Sequence, residues 1–450
     1  MKIKVMKFGG TSVATPEARG QAALRVVSAV EQGFSPVVVV SAIGRRGAPY
    51  ATDTLIQVLK EIDPTVQPDA RELDLMVACG EILSAVIFAH TLKTMGRPGR
   101  AFRGGQAGIR TDDVFGNARI VGINPVTLLR TLEQGVTPVV CGFQGVYLPD
   151  GNWLGGELTT LGRGGSDTTA AALGAALKAH SIEIFTDVEG VKTADPDYVP
   201  RAPTLRQVSY DEVAEIAHLG AKVLHPRAAE IANRFNIPLR VKSTFSSDPG
   251  TEVVRTADAN KRGITGVTHS GKLVYLQFDF GDVEPDHLRQ LESSVYAMMA
   301  RYGLNLFMMN LSPQGIGFAV PREQYPTAKD LLDGLVIPLD GPTSVVYLFQ
   351  IGQVPSREAE TQAELLGPLG TIRTVRIELT EGCTMVSLIG AEYLARPGIF
   401  YQVLNGLASE QISVLQTSDS DLSLSCLIPE SELSRCVAYL HDMFQLHQVG

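Results

Sequence analysis

A lysine followed by two glycines lies close to the N-terminus, directly after an alternating apolar stretch. Lys7 is separated by one residue from Gly9 and Gly10. A strand that ends in glycines leaves backbone N–H groups open, and the missing Cβ atoms let a phosphate approach closely. The lysine adds a mobile positive charge, and Thr11 and Ser12 can cap a following helix. The pattern indicates phosphate binding at a first βα turn, with an ordinary glycine-rich turn as the simpler alternative.

A second glycine-rich turn, residues 159–169, leads into an alanine-rich stretch typical of a helix. Arg163 lies in this turn, and a guanidinium can hold a carboxylate through two hydrogen bonds. Asp167 lies where a carboxylate could orient a lysine or a metal-bound phosphate. The glycines precede a helix N-terminus, which is a geometry that binds anions. Because the turn has more charge and glycine than a helix cap needs, we predict an anion site here.

Three further stretches carry less specific chemistry. Glu81 lies in an amphipathic helical pattern, where a lone glutamate is usually solvated. Thr186 and Asp187 end a predicted strand and begin a polar turn suited to the ribose and base of a nucleotide. Lys222 lies near a turn that ends in proline. On the residues alone, the last two stretches could equally be plain loops.

These side chains need a scaffold, and the first half of the chain predicts a parallel sheet. Apolar runs at 37–40, 138–143 and 182–187 are typical of strands buried on both faces. Helical patterns at 17–31 and 74–94 lie between them. Strands that alternate with helices of this length predict an α/β fold, a mainly parallel sheet covered by helices on both faces. Ligands of such sheets bind at the C-terminal strand ends, where the glycine clusters fall.

The pattern changes after about residue 250, where the tail begins to repeat itself. Two copies of a strand–helix–strand unit occupy residues 293–320 and 399–428. Such repetition predicts a pseudo-symmetric pair of α+β modules. The intervening segment, 336–380, is long for a connector and rich in glycine and proline. It includes a strand-like stretch at 344–351 and a helical stretch at 357–366.

Composition and charge limit the classes of function. The 450 residues suffice for two or three domains, and a composition with 44% hydrophobic residues is globular. The net charge of −9, without a run of lysine and arginine, argues against nucleic-acid binding. The five scattered cysteines and eight histidines predict neither a disulfide framework nor a metal site. Because we find no apolar leader and no uninterrupted apolar span, we expect a cytoplasmic protein without a membrane segment.

Together these motifs resemble the aspartate kinase family, within the wider amino-acid kinase fold. The tail resembles paired ACT regulatory domains, most closely those of the monofunctional Bacillus-type enzymes that respond to diaminopimelate. The matching strings are residues 7–13, 39–42, 80–81, 142–145, 159–169, 186–190 and 220–224, followed in the tail by 382–390, 396–398 and 415–420. The resemblance implies a kinase domain at 1–255, a first ACT-like domain at 264–335, an atypical connecting segment at 336–380 and a second ACT domain at 381–450.

The resemblance implies transfer of phosphate from ATP, bound with Mg²⁺, to the side-chain carboxylate of L-aspartate, giving 4-phospho-L-aspartate. This reaction opens the biosynthesis of lysine (through diaminopimelate), threonine and methionine. The substrate carboxylate is the nucleophile, so catalysis rests on placement and electrostatic stabilisation. The implied roles are catalytic for Lys7, Gly9, Gly10 and Asp167, aspartate-binding for Ser41, Glu81, Arg163, Gly164, Gly165 and Ser166, and nucleotide-binding for Lys7, Gly9, Gly10, Thr186, Asp187 and Lys222.

The resemblance also implies feedback control through the ACT pair, by diaminopimelate, lysine or threonine. Gln416, Ser418 and Asp419 are the candidate effector contacts, and a homodimer is expected through residues 265–450. Two local departures from the family pattern stand out. Asp197 occupies a position that is often arginine, and the first ACT-like unit lacks the usual Pro-Gly turn.

Two other functions stay open. Another acyl-phosphate-forming kinase of this fold, acting on glutamate or acetylglutamate, is disfavoured by the ACT pair and by the string at 163–167. A catalytically inactive amino-acid sensor is disfavoured because Lys7, Glu81, Arg163 and Asp167 are all present, and an inactive protein would be free to lose them. From the length of 450 residues we expect no fused homoserine dehydrogenase domain.

Overall fold

The computed structural model describes residues 1–63, 66–149, 155–220, 223–255, 263–313, 315–339, 345–352, 371–390 and 398–449. The chain divides into two compact units. The first consists chiefly of Met1–Gly266, and the second lies between residues 267 and 444.

Strands and helices alternate in the first unit, which confirms the predicted α/β class. Its strands are β1 (Ile3–Phe8), β2 (Ser35–Val40), β3 (Gly99–Phe102), β4 (Ile109–Thr111), β5 (Ile120–Ile123), β6 (Thr137–Cys141), β7 (Gln144–Tyr147), β8 (Glu157–Thr160), β9 (Ser181–Thr186), β10 (Gln207–Ser209), β11 (Leu239–Ser243) and β12 (Thr251–Val254). Its helices are α1 (Pro16–Glu31), α2 (Thr52–Lys60), α3 (Ala70–Thr94), α4 (Val126–Glu133), α5 (Gly165–Ala176), α6 (Tyr210–His218) and α7 (Pro226–Arg234).

The main sheet places β1 at its centre. Within the described residues its strand order is β10-β12-β11-β9-β1-β2-β6-β3, and only β11 and β12 pair antiparallel. Val37–Val40 of β2 are fully buried, as expected of a strand covered on both faces. A smaller sheet of order β5-β4-β7-β8 lies beside it in the same unit. Parallel strands end on the same side, so the residues after β1 and β9 are neighbours.

An aromatic cluster fixes the C-terminal end of β1. The ring of Phe8 stacks on Phe185 of β9, with centroids 4.8 Å apart, and on Phe88 of α3, with centroids 5.4 Å apart. All three side chains are at most 1% exposed. Stacked aromatic pairs contribute beyond the area they bury. The end of the strand that carries Lys7 is therefore packed against both a neighbouring strand and a helix.

Helix α3 is long and apolar enough to cross a membrane by length and composition alone. Half of its most apolar window is buried inside the protein, however, as in the core helix of a soluble domain. Its inner face also carries two carboxylates, Asp74 and Glu81, which are 1% and 2% exposed. We expected no uninterrupted apolar span, and α3 comes close to one. Its two inner carboxylates mark it as the helix that supplies polar groups to a site.

Both predicted repeats lie in the second unit, but within the predicted bounds (293–320 and 399–428) each is a helix followed by two strands, not a strand–helix–strand unit. Its strands are β13 (Gly266–His269), β14 (Leu273–Asp279), β15 (Phe307–Ser312), β16 (Gly315–Pro321), β17 (Val336–Leu339), β18 (Val345–Ile351), β19 (Thr371–Ile389), β20 (Gln416–Asp419) and β21 (Ser423–Pro429). Its helices are α8 (Pro285–Arg301), α9 (Tyr325–Leu332), α10 (Ile399–Ser409) and α11 (Leu433–Met443).

Strand β19 joins the two repeats, because it pairs with β14, the partner of β16, and with β21. Its N-terminal part pairs with β14 and β18, and its C-terminal part pairs with β21. The register with β14 shifts between Thr380 and Cys383, where Gly382 adopts φ +69°. Glycine takes this left-handed conformation at a β-bulge without strain. The repeats therefore form one sheet, and much of the segment predicted as a connector (336–380) supplies strands to it.

Two details of that segment can be compared with the prediction. The strand-like stretch at 344–351 corresponds to β18, and the residues from 371 belong to β19. The predicted helix at 357–366 lies outside the described residues, as do residues 396 and 397 of the family-like string.

Candidate active site

Lys7 and Asp167 form an ion pair where β1 ends and α5 begins. Lys7 Nζ lies 2.8 Å from Asp167 Oδ1, and each side chain is 12% exposed. Asp167 lies in the first turn of α5, where the helix dipole favours a carboxylate. The backbone N–H of His225 donates to Asp167 Oδ2 over 3.2 Å. Because an ammonium has three donors, Lys7 can bind an anion while it stays paired with Asp167.

The two glycines after Lys7 differ in what their backbone can do. The N–H of Gly9 donates to the carbonyl of Phe185 on β9 over 3.2 Å. The prediction that Gly9 offers a free donor to phosphate is therefore wrong, because this bond joins the ends of β1 and β9. Gly10 begins a 3₁₀ turn, and the first N–H of such a turn has no acceptor within it. A Cβ at Gly10 would lie 2.4 Å from the carbonyl oxygen of Gly44, so this close approach requires glycine.

A cavity of about 770 Å³ opens beside the ion pair. This volume is in the range of small-ligand sites. Its lining includes most of the residues predicted to catalyse or to bind the acceptor: Lys7, Gly10, Ser41, Glu81, Arg163, Gly164, Gly165, Ser166 and Asp167. The structure therefore brings together residues that are far apart in sequence and that the motifs pointed to separately.

Glu81 presents an unsatisfied carboxylate oxygen next to this cavity. Its Oε1 accepts the backbone N–H of Ala42 over 3.0 Å. Its Oε2 is buried and has no partner among the described residues. Burial raises the pKa of the Glu81 carboxyl to about 8, against the lowering effect of the hydrogen bond from Ala42. A buried acceptor without a donor is costly, so this oxygen is suited to a cationic ligand.

Arg163 contrasts with Glu81, because its side chain is an exposed cation that lacks an acceptor among the described residues. Its side chain has no hydrogen bond or ion pair with any residue in the described part of the chain. The next residue, Gly164, caps α5 with φ +69°, and a Cβ there would lie 2.2 Å from the ring of His225. This turn therefore requires glycine, and it directs Arg163 into the cavity lining. A guanidinium in this position can bind a carboxylate through two hydrogen bonds.

The predicted nucleotide contacts lie at the neighbouring strand end. Thr186 ends β9, and its hydroxyl donates to Asp187 over 3.0 Å. Asp187 also forms a 2.6 Å ion pair with Arg45. Thr186 and Asp187 are not part of the cavity lining, whereas Arg45 is. Lys222 lies outside the described residues.

The candidate effector residues lie on β20, in the second unit. This strand pairs with β21 and is an edge strand within the described part of the sheet. Gln416 is half-buried, and Ser418 and Asp419 are exposed. Their side chains are therefore reachable for a small ligand.

Arg45, Arg46 and Asp74 are among the lining residues that were not singled out from the sequence. Arg45 and Arg46 follow β2 in a glycine-containing loop, and this pair of cations beside Ser41 was the available indication. Asp74 precedes Glu81 by two helical turns, so the two lie on one face of α3. That spacing could have identified Asp74 as a site residue.

Comparisons with known proteins find relatives over nearly the whole length of the chain. The amino acid kinase family model matches residues 2–243, and an ACT domain model matches residues 378–442. Aspartokinase 1 of Bacillus subtilis is 36% identical over 99% of this chain and 100% of its own length. The aspartokinase of Geobacillus stearothermophilus is 33% identical over 99% of this chain and 98% of its own. The crystal structure of Escherichia coli aspartokinase III in complex with aspartate and ADP is 25% identical, with a TM-score of 0.72 over 98% of this chain and 99% of that one.

Proposed function

The chain belongs to the aspartokinase family, and from that premise we propose that the cavity beside Lys7 and Asp167 is its phosphoryl-transfer site. The protein is an ATP-dependent aspartate kinase that converts L-aspartate to 4-phospho-L-aspartate. One observation carries the assignment of the site. A paired lysine, an unsatisfied buried carboxylate and an unpaired arginine line the same cavity. Those groups match a phosphate, an ammonium and a carboxylate.

The two charged ends of the α-amino acid fit the two unmatched groups. Glu81 Oε2 accepts the substrate ammonium, and Arg163 binds the α-carboxylate. The side-chain carboxylate then faces Lys7, and one of its oxygens attacks the γ-phosphorus as the bond to the β-phosphate oxygen breaks. Lys7 stabilises the negative charge on the transferred group, and Asp167 keeps Lys7 in place. Ser41, Gly165 and Ser166 complete the acceptor side of the cavity, and Gly10 contributes a backbone donor.

The donor set also fits Mg²⁺ carried by the nucleotide. Mg²⁺ usually binds one or two protein carboxylates and otherwise phosphate oxygens and waters. Asp167 lines the cavity, and its carboxylate has acceptor sites beyond those that Lys7 and His225 use. When bound, Mg²⁺ neutralises charge on the phosphates. The described residues contain no group of three or more carboxylate, histidine and cysteine side chains placed to hold a metal alone.

The remaining parts of the assignment belong to the same proposal. Thr186 and Asp187 contact the nucleotide, since the end of β9 adjoins the end of β1. The family resemblance assigns the same role to Lys222. The kinase domain ends near residue 255, and the two ACT-type domains begin near 264 and 381. The enzyme works in the cytoplasm, where its five free thiols would stay reduced. Two copies associate through residues 265–450.

A substrate panel tests the proposed activity. Purified protein is assayed for ATP turnover with L-aspartate, L-glutamate and acetylglutamate, and the product is trapped as its hydroxamate. We expect turnover with aspartate alone. Turnover with glutamate but not aspartate would reject the assignment, and no turnover with any of them would support the inactive-sensor alternative.

The effector is expected to act through the second unit. We expect diaminopimelate, lysine or threonine, alone or in a pair, to lower the aspartate kinase rate of the full chain. Alanine substitutions at Gln416 and Ser418 should weaken the inhibition without changing the uninhibited rate, because both side chains lie on β20 and neither lines the cavity. A rate unaffected by all three amino acids would leave the ACT pair as an assembly device, which sedimentation of the protein would reveal as a dimer.

The raised pKa of Glu81 predicts a pH dependence of aspartate binding. Below pH 8 the carboxyl is mostly neutral and lacks the charge that attracts the substrate ammonium. We therefore expect kcat/KM for aspartate to rise with pH, approaching about tenfold per unit well below the pKa, and to level off above it. A Glu81→Gln variant should raise KM for aspartate and lose this dependence. The same slope in both proteins would show that another group titrates.

A further inference from the structure

Asp74 is a buried carboxylate for which the mechanism above gives no role. It is 1% exposed and lies on the inner face of α3. The N–H of Gly116 donates to both of its oxygens, over 3.1 and 3.0 Å. Thr160 donates its N–H to Oδ2 over 2.8 Å and its hydroxyl to Oδ1 over 2.5 Å. Charge-assisted hydrogen bonds of this kind are stronger than neutral ones, so Asp74 firmly fastens two other segments to the helix.

One of those segments leads to Arg163. Thr160 is the last residue of β8, and the turn that carries Arg163 follows it. The carbonyl of Thr160 also accepts the N–H of Ala118 over 2.8 Å, which joins this strand end to the loop that contains Gly116. Asp74 therefore anchors the base of the Arg163 turn and the adjacent loop to a single point on α3.

The same helix carries Glu81. Seven residues separate Asp74 from Glu81, which is about two helical turns or about 10 Å along the axis, on one face. Both side chains line the cavity with Arg163. A helix is a rigid spacer over this length. Its connection to the Arg163 turn through Asp74 therefore sets where the guanidinium lies relative to the Glu81 carboxylate.

We propose that Asp74 is a positioning residue for recognition of the amino-acid substrate. By anchoring the Arg163 turn to the helix that bears Glu81, it keeps the groups for the α-carboxylate and the ammonium at the separation that one α-amino acid requires. This inference rests on the proposed roles of Arg163 and Glu81. Both Asp74 oxygens already accept hydrogen bonds from Gly116 and Thr160, so the loss of Asp74 weakens aspartate binding and leaves the phosphoryl-transfer groups, Lys7 and Asp167, in place.

The test is the Asp74→Asn variant, which keeps the shape but turns one acceptor oxygen into a donor amide facing N–H groups. We expect KM for aspartate to rise about tenfold or more, with kcat and KM for ATP within about twofold of the original protein. Glu212→Gln is the matched control. Glu212 is fully buried and accepts the N–H of Ser209 over 3.0 Å and the hydroxyl of Thr265. The control should lower stability to urea and leave KM for aspartate unchanged. The proposal would be overturned if Asp74→Asn and Glu212→Gln had the same KM for aspartate. It would also be overturned if Asp74→Asn raised KM for ATP as much as KM for aspartate.

Two further variants separate this inference from the proposed function. Arg163→Gln alone should raise KM for aspartate, and adding Asp74→Asn should then raise it little further, because Asp74 acts through Arg163. Fully additive effects would reject the positioning role and leave the Arg163 assignment intact. An unchanged KM in Arg163→Gln would reject both. Thr160→Val removes only the hydroxyl donor to Asp74 and should shift KM in the same direction by a smaller factor, which keeps the test valid if Asp74→Asn fails to fold.

Discussion

Replacing Lys7 by alanine should lower kcat at least about a hundredfold, while KM for aspartate changes little. The Lys7 ammonium is mostly buried and lies 2.8 Å from Asp167, at the edge of the cavity. The Lys7 charge stabilises the transition state, in which negative charge is redistributed over the transferred phosphoryl group, more than it stabilises the bound substrates. Its removal should therefore lower kcat more than it raises KM. Steady-state kinetics with saturating ATP and varied aspartate measure the effect.

The chain offers a matched control on the same strand. Lys4 pairs with Glu183 over 3.2 Å, and their side chains are 10% and 11% exposed. This pair equals the Lys7–Asp167 pair in type and burial but does not line the cavity. Lys4→Ala should therefore reduce the free energy of unfolding and leave kcat near its original value. If both alanine variants lost activity to the same degree, the effect of Lys7→Ala would be structural, and the assignment of Lys7 would be wrong.

Asp167→Asn should also lower kcat at least about a hundredfold, because the isosteric amide cannot balance the charge of Lys7 or supply a carboxylate to Mg²⁺. The variant keeps an oxygen that can accept the N–H of His225, so the start of α5 should stay folded. Thermal unfolding of the variant checks this point. Glu183→Gln, in the remote pair, is the corresponding control.

A double variant shows whether the two residues act as one unit. If Asp167 acts chiefly by placing Lys7, then Lys7→Ala combined with Asp167→Asn should be hardly slower than Lys7→Ala alone. Independent, multiplying losses would mean that Asp167 contributes mainly in another way, such as through the metal ion. Near-normal turnover in Asp167→Asn would contradict the site itself.

Local patterns in the sequence predicted the strands and helices that carry the site. The apolar run before Lys7 became β1, and the run at 182–187 became β9 at almost the same bounds. These predictions succeeded because a strand buried on both faces needs an unbroken apolar run. The glycine turn at 162–165 could also be predicted, because a glycine cluster precedes an alanine-rich stretch. In the structure Gly164 has a positive φ and faces the ring of His225.

Long-range partners could not be predicted in this way. Nothing near Gly9 in sequence shows that its N–H is taken by Phe185, because that contact depends on which strands are adjacent. The two partners of Asp74, Gly116 and Thr160, are 42 and 86 residues away, and a lone aspartate in a helical pattern resembles a solvated residue. The unmatched oxygen of Glu81 likewise depends on the packing of α3 against the sheet. Burial and pairing at these positions are properties of the tertiary structure.

The shared strand of the second unit has a consequence for how that unit responds to force and to ligand. A single strand of 19 residues joins the two repeats, so no flexible linker lies between them in which a displacement could be absorbed. If a ligand at the β20 edge displaced β21, the hydrogen bonds between β21 and β19 would transmit the displacement to β19. The other end of β19 is hydrogen-bonded to β14 and β18, which would then also be displaced. The bulge at Gly382 is the one point along β19 where the register with β14 already changes, and so it is the natural pivot. We therefore expect a displacement in one repeat to be transmitted to the other.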